Sequence, residues 1–238
     1  MPVNEYGQQI GHALPGWTPR PRPTRETLEG RYCRLEPLTT DRHAAGLFAA
    51  YQPAGAALWT YLGIGPFADE AEYAHYVRSV EDSADPLFFA VIDQADGAPV
   101  GTLSLQRQDP ESGVIEIGWV AFSPRMQHTR LSTEAHALLL ALVFDRLGYR
   151  RCEWKCDSLN GPSRHAAERL GFVYEGTFRS AHVYKQRSRD TDWLAITDTD
   201  WPGCRAALDA WLSPGNFDAE GRQRLALGEC RTQARRQE

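Results

Sequence analysis

Apolar positions along the chain change period several times, and each change marks an element. Tyr32, Arg34 and Glu36 alternate with Cys33, Leu35 and Pro37, the period of a strand. Thr40-Asp41 opens a helix that runs through Leu47 and Phe48 to Tyr51. Asp69-Glu-Ala-Glu72 is an aspartate variant of the capping box and leads a second helix, with Tyr73, Tyr76, Val77 and Val80 on one stripe. Between these helices residues 53–67 form a glycine-containing loop, with Trp59, Tyr61 and Phe67 expected at the surface. Residues 87–92 are apolar throughout and predict a strand buried on both faces. Turn signals at Asp96-Gly97 and at 109–113 separate it from strands at 99–106 and 114–122, an antiparallel meander.

A second long helix pattern covers residues 131–147. Ala135, Leu138, Leu139, Leu142 and Val143 form its buried face and Gly148 stops it. Residues 151–156 then predict a strand, Asn160-Gly-Pro-Ser163 opens a short helix ending at Gly171, and 172–178 with 184–196 predict a closing strand pair. Residues 201–212 and 218–227 predict two terminal helices. Ahead of the core, Leu14 to Thr24 is proline-rich and excludes regular structure. Trp17 within it leaves two readings, an arm anchored by its ring and a disordered tail. The chain therefore divides into an arm (1–29), a core domain (30–201) and a C-terminal helical extension (202–238).

Composition narrows the function classes. The 238 residues are 42% hydrophobic and 24% charged, an ordinary globular balance, and the net charge of −5 is not the basic footprint of a nucleic-acid binder. That charge would suit a cationic substrate. The opening residues are polar, no apolar run is long enough to span a membrane, and the five cysteines are odd in number and scattered, so a cytoplasmic protein with reduced thiols is expected. Cys152 and Cys156 would share a strand face; packing explains them better than zinc, since His165 and His182 fit no zinc spacing, and no metal is expected.

The third meander strand runs into a loop that feeds a helix start, Gln127-His-Thr-Arg-Leu-Ser-Thr133. A helix N-terminus offers free N–H groups and partial positive charge, which suits a pyrophosphate. Thr129, Ser132 and Thr133 add hydroxyls there, and Arg125 and Arg130 add cations; the same residues could simply cap the helix.

Three further segments give the chain a resemblance to the GNAT acetyltransferases, and within them to the RimJ/RimL-like branch. Ile115-Glu-Ile-Gly-Trp119 is similar to the family's fourth strand, and Thr133-Glu-Ala135 to the start of its CoA-facing helix. Asn160-Gly-Pro-Ser163, continued by Ala167-Glu-Arg-Leu-Gly-Phe172, is similar to its Asn-x-x-Ser and Glu-x-Leu-Gly-Phe elements. The resemblance implies an α/β (α+β) GNAT fold: a central, twisted, mostly antiparallel mixed sheet flanked by helices. It also implies acetyl-CoA as cosubstrate and direct attack of an amine on the thioester. The backbone of Trp119, Val120 and Ala121 would hold the thioester oxygen, and residues Arg125 and Gln127 to Thr133, Leu131 included, would surround the pyrophosphate. Asn160 would bond the pantetheine arm. Ser163 is placed as the acid for the leaving thiolate, or is a helix-start hydroxyl. Glu116 is the candidate base, or a structural carboxylate, with Asp157 and Tyr174 as alternatives. Asp190 and Asp192 could hold a cationic acceptor or form turns. One departure stands out: the family places glycines where His128 and Arg130 stand, so binding with the backbone still turned inward is expected, Arg130 adding a phosphate contact. The acceptor would be a small-molecule amine or a protein N-terminus, and a homodimer is allowed. The competing readings are a non-catalytic acyl-CoA-binding or regulatory protein, and a self-associating protein that uses residues 201–227.

Overall fold

The computed structural model describes residues 1–234. Its centre is one eight-stranded sheet in the order β1-β2-β3-β4-β5-β6-β8-β7. The strands are β1 (Leu28–Glu29), β2 (Cys33–Pro37), β3 (Leu87–Asp93), β4 (Pro99–Asp109), β5 (Val114–Phe122), β6 (Arg151–Asp157), β7 (Val173–Tyr184) and β8 (Arg187–Thr197). Every neighbouring pair is antiparallel except β5 and β6. That parallel pair is joined by a crossover through α3 (Arg130–Ala141).

Helices cover both faces. α3, α4 (Gly161–Leu170), α5 (Trp201–Leu212) and α6 (Leu227–Ala234) lie over one, where Ile115, Ile117, Leu139, Leu140 and Trp154 join the larger core. α1 (Thr40–Tyr51) and α2 (Glu70–Val80) lie over the other, where Leu47, Tyr51 and Tyr73 pack on Phe88, Ala90 and Ala121. β3 touches both cores, which accounts for its unbroken apolar run: all seven residues are buried.

Several sequence expectations are corrected. Trp59 is buried, its ring edge-on to Tyr51 at 5.3 Å and to Phe67 at 5.1 Å, at the end of a 3₁₀ segment (Gln52–Trp59) that closes the first helix. The long helix ends at Ala141 and passes through one π turn, Leu142–Arg146, before Gly148 (φ 69°) turns the chain. The closing strands extend to a two-residue turn at Lys185 and Gln186, both with positive φ. Residues 218–226 are not helical. Asp218 Oδ1 accepts the N–H groups of Glu220 and Arg222 while Gly221 takes φ 78°, so turn chemistry prevails over the helical pattern. The last helix begins instead at Leu227, where Glu229 accepts the Ala226 N–H at 2.7 Å. The arm is anchored: Trp17 Nε1 donates to the Glu111 carbonyl at 2.8 Å, and Arg20 lies 4.2 Å from the ring centroid. Residues 235–238 of the extension lie outside the described residues.

Candidate active site

The site follows from the place where the sheet comes apart. β5 and β6 pair in register over only four positions, Val114↔Arg151 to Ile117↔Trp154. β5 then stays with β4 as far as Phe122, while β6 stays with β8 as far as Asp157. The facing edges of 118–122 and 155–157 are thus released from one another, and a wedge opens between them. A bulge sharpens the parting. Thr102 pairs with Ala121 but Ser104 with Gly118, so β5 carries one extra residue there, and Trp119 takes φ 50°. Tyr51 fixes the far side of the bulge by donating its hydroxyl to the Ala121 carbonyl at 3.1 Å. A Cβ at Gly118 would stand 2.0 Å from Gln106 Nε2, so a side chain there would displace the Gln106 amide that bonds Glu116.

Two helix starts border the wedge. At the first, the N-cap Thr129 gives its hydroxyl proton to the Met126 carbonyl (2.7 Å) and Ser132 gives its own to the Thr129 carbonyl (2.9 Å). Neither hydroxyl accepts from the first turn of α3, and the Thr129 side chain makes no cap bond. His128 takes φ 59°, the left-handed conformation expected of glycine, so the loop keeps a glycine-like bend without a glycine. Gln127 donates to the Phe122 carbonyl at 2.7 Å and ties the loop to the end of β5.

At the second start, Asn160 Oδ1 accepts the Ser163 N–H at 3.2 Å. Ser163 Oγ accepts the Trp154 indole N–H at 3.0 Å, and its own proton is turned to the weak acceptor Cys156 Sγ. The nearby Cys156 thiol is pushed up to about 11, mainly by burial, and is therefore protonated at neutral pH. His136, 4% exposed, stands beneath the wedge between Phe122 (5.4 Å) and Trp154 (5.2 Å) and bonds the Ser132 carbonyl through Nδ1 at 2.7 Å.

On the opposite face, Glu116 and Lys155 meet across the point of parting at 2.8 Å. Lys155 also reaches Glu153 at 2.7 Å and stands 3.7 Å from the Trp193 ring centroid. Gln106 donates to Glu116 at 2.7 Å. Burial raises the Glu116 carboxyl above the ordinary carboxylate range, and Lys155, Gln106 and Arg107 oppose that rise.

Other sequence-predicted residues are committed elsewhere. Arg125 is paired with Asp93 (2.5 Å) and Asp96 (2.8 Å). The Arg130 guanidinium is sandwiched between Tyr32 (4.6 Å) and Phe217 (4.7 Å), turned toward the C-terminal extension and not the loop. The Thr133 hydroxyl, buried, accepts from Arg169 at 3.0 Å. Leu131 packs against the larger core, so only its backbone belongs to the helix start. Tyr174 is on the edge strand under Arg164, away from the wedge. Asp192 is held by Thr177 and Arg164, and Asp190 accepts the Ser180 N–H, so both serve the hairpin. Asp157 is held by the Tyr184 hydroxyl at 2.7 Å and the Leu159 N–H at 2.9 Å. A surface cleft between α3 and α5, lined by Arg31, Glu134 and Arg205, holds none of the residues at the wedge. Sequence reasoning missed His136, Lys155, Trp154 and Trp193; a lysine between Glu153 and Cys156 in a strand was the one available signal.

Comparison with known proteins places the chain in a family. The acetyltransferase (GNAT) domain family matches residues 33–173, more than half of the chain. A GCN5-related N-acetyltransferase from Brucella melitensis is 48% identical, with a TM-score of 0.90 over 92% of this chain and 100% of that one. A GNAT-family probable acetyltransferase from Chromobacterium violaceum is 38% identical, with a TM-score of 0.76 over 82% of this chain and 98% of that one. Microcin C7 self immunity acetyltransferase MccE, whose structure holds acetyl-CoA and AMP, shares the fold at 17% identity and a TM-score of 0.63, covering 71% of this chain and 93% of that one. Among curated proteins none matches. A sheet parted after four parallel pairs, a bulge at the parting and a helix start beside it accompany a family match across the core: the chain belongs to the GNAT acetyltransferases.

Proposed function

We propose that the protein transfers an acetyl group from acetyl-CoA to a primary amine by direct attack within a ternary complex, as a member of the RimJ/RimL-like branch. The parted β5 and β6 edges beside an uncapped α3 start are the observation that carries this reading. Pyrophosphate oxygens would take the first-turn N–H groups after Thr129, with the His128 bend turning the loop toward them. The pantetheine arm would fill the wedge, its amides pairing with the free β5 edge and with the Asn160 amide nitrogen, whose carbonyl oxygen is used in capping. A backbone N–H at Trp119 to Ala121 would hold the thioester oxygen as it gains charge.

The amine nitrogen then forms its bond to the carbonyl carbon, the C–S bond breaks, and the thiolate takes a proton. Ser163 would give that proton, exchanging its weak bond to the Cys156 sulfur for one to the thiolate while the Trp154 indole holds its oxygen. Glu116, raised by burial yet paired with Lys155, would take the ammonium proton through water. Burial keeps the Cys156 thiol protonated, which disfavours an acyl-cysteine route. The acceptor is a small-molecule amine or a protein N-terminus.

Titration calorimetry with acetyl-CoA, followed by thiol release with a panel of amines, tests the reading. Binding, amine-dependent release, and a loss of about ten- to a thousand-fold in turnover for Ser163→Ala with acetyl-CoA affinity retained are expected. Binding without release from any amine would favour a non-catalytic acyl-CoA-binding protein, and absence of binding would defeat both.

A further inference from the structure

The face of the sheet that carries Glu116 and Lys155 continues outward along the β7–β8 hairpin, and its chemistry changes sign there. Lys155 pairs in register with Trp193 and Asp157 with Thr191, with no shift between β6 and β8. Because successive strand side chains alternate faces, Thr191, Arg189 and Arg187 follow Trp193 on the Lys155 face. Tyr184 and His182 lie directly opposite Arg187 and Arg189.

The hairpin tip returns to the mouth of the wedge. Lys185 donates to the Trp59 carbonyl at 2.6 Å and Arg187 to the Thr60 carbonyl at 3.0 Å. Both acceptors belong to the connection between α1 and α2, where the Cβ position of Gly63 stands 3.7 Å from the Trp119 ring. The basic tip, the bulge residue and the parted strands therefore border one opening.

The cations of the hairpin tip have no carboxylate paired with them: among the described residues no ion pair joins a carboxylate to Lys185, Arg187 or Arg189, whereas Glu116 and Glu153 are both paired by Lys155. Asp157, the carboxylate on the same face, is held by the Tyr184 hydroxyl and the Leu159 N–H. Thr191 is 1% exposed and its hydroxyl has no hydrogen-bond partner; Arg189 Nε is likewise buried and without one. Burial and the neighbouring Arg187 depress the Lys185 ammonium. Buried donors without acceptors and crowded like charges are both costly, and an anion placed here relieves both at once.

We propose that the acceptor is an amine that also carries a negative group, carboxylate or phosphate, and that this group docks on the β8 face at Thr191 and Arg189 with Arg187 and Lys185 at its rim. The proposal rests on the acyl-transfer reading of the wedge and adds the substrate class. It replaces the cationic acceptor that net charge suggested, because the local charge at the opening is opposite to that of the whole molecule.

Short peptides with free N-termini supply the test. One carries Asp and Glu after the first residue, one Asn and Gln, one phosphoserine and one Lys. At about 20 mM salt the acidic and phosphorylated peptides should exceed the amide peptide in kcat/KM by about tenfold or more, and about 300 mM salt should erode the gap. Arg189→Gln, Thr191→Val and the rim variant Arg187→Gln should each shrink that preference while leaving turnover of the amide peptide near wild type. The ratio of carboxylate to phosphate peptide identifies which anion fits. Equal or better use of the amide or lysine peptides, or variants that keep the preference, would overturn the proposal. Equilibrium binding of the same peptides beside CoA separates the two ideas. Arg189-dependent binding of acidic peptides without thiol release keeps the anion site and removes the transfer reading; release without acidic preference does the reverse.

Discussion

His136 shows how one buried side chain records the acidity of its surroundings. Burial depresses its imidazolium to about 4 from an ordinary value of 6.5, outweighing the help of the Ser132 carbonyl. Below pH 6.5 the unfolded chain takes up a proton that the folded chain refuses, so stability is lost as pH falls from about 6.5 toward about 4. The loss approaches about 3 kcal/mol across that window. Urea unfolding of wild type and His136→Leu at pH 7 and at pH 4.5 should show a wild-type slope that the variant lacks in large part. Glu116 works with the opposite sign: its raised carboxyl gains a proton early on acidification, which relieves the cost of burying its charge. Residues of this kind are where sequence reading runs short. Asn160 and Ser163 were legible because a helix start confines them to a short motif. His136 and Thr191 were not, because which face a side chain takes, and what buries it, depends on partners distant in the chain.

At the scale of elements, the start of α3 would hold the pyrophosphate in the proposed reading, and one substitution separates helix stability from binding. Ser132 occupies the first turn, where a carboxylate suits the helix dipole. Ser132→Glu should therefore melt within a few degrees of wild type without ligand, yet lose acetyl-CoA binding by at least about a hundredfold, since like charges would meet at short range. A melting scan with and without acetyl-CoA checks both halves. The same start is bound to the extension by a stack of rings and guanidinium groups. Arg130 lies between Tyr32 and Phe217, Phe217 meets Trp211 at 5.2 Å, and Arg169 stands 4.8 Å from the Trp211 centroid. Helices and meander strands were legible because their periods are local. The hairpin turn was not, since Lys185 and Gln186 are residues that seldom take positive φ.

At the scale of the molecule, two half-sheets meet along one short seam, four register pairs and the Glu116–Lys155 bridge. One half carries the α1 and α2 core, while α3 reaches across to both. Acetyl-CoA in the wedge would supply the hydrogen bonds that each edge lacks beyond Ile117 and Trp154. Hydrogen exchange should then slow on both sides of the gap, at 118–122 and at 155–157, with β3 unaffected. The melting temperature should rise with ligand concentration, because only the folded form offers the gap. Slowing confined to the α3 start would place the ligand on the surface and leave the wedge empty.

The seam also sets where the molecule is mechanically soft. A strain applied across the sheet should concentrate there, because apart from the two-residue edge strand β1 every other ladder has more rungs to share it. The four rungs between β5 and β6 should therefore serve as a flexure, with the mouth beyond them widening before another interior pair separates. Lys155, bound to one carboxylate on each side of the joint, would resist that widening.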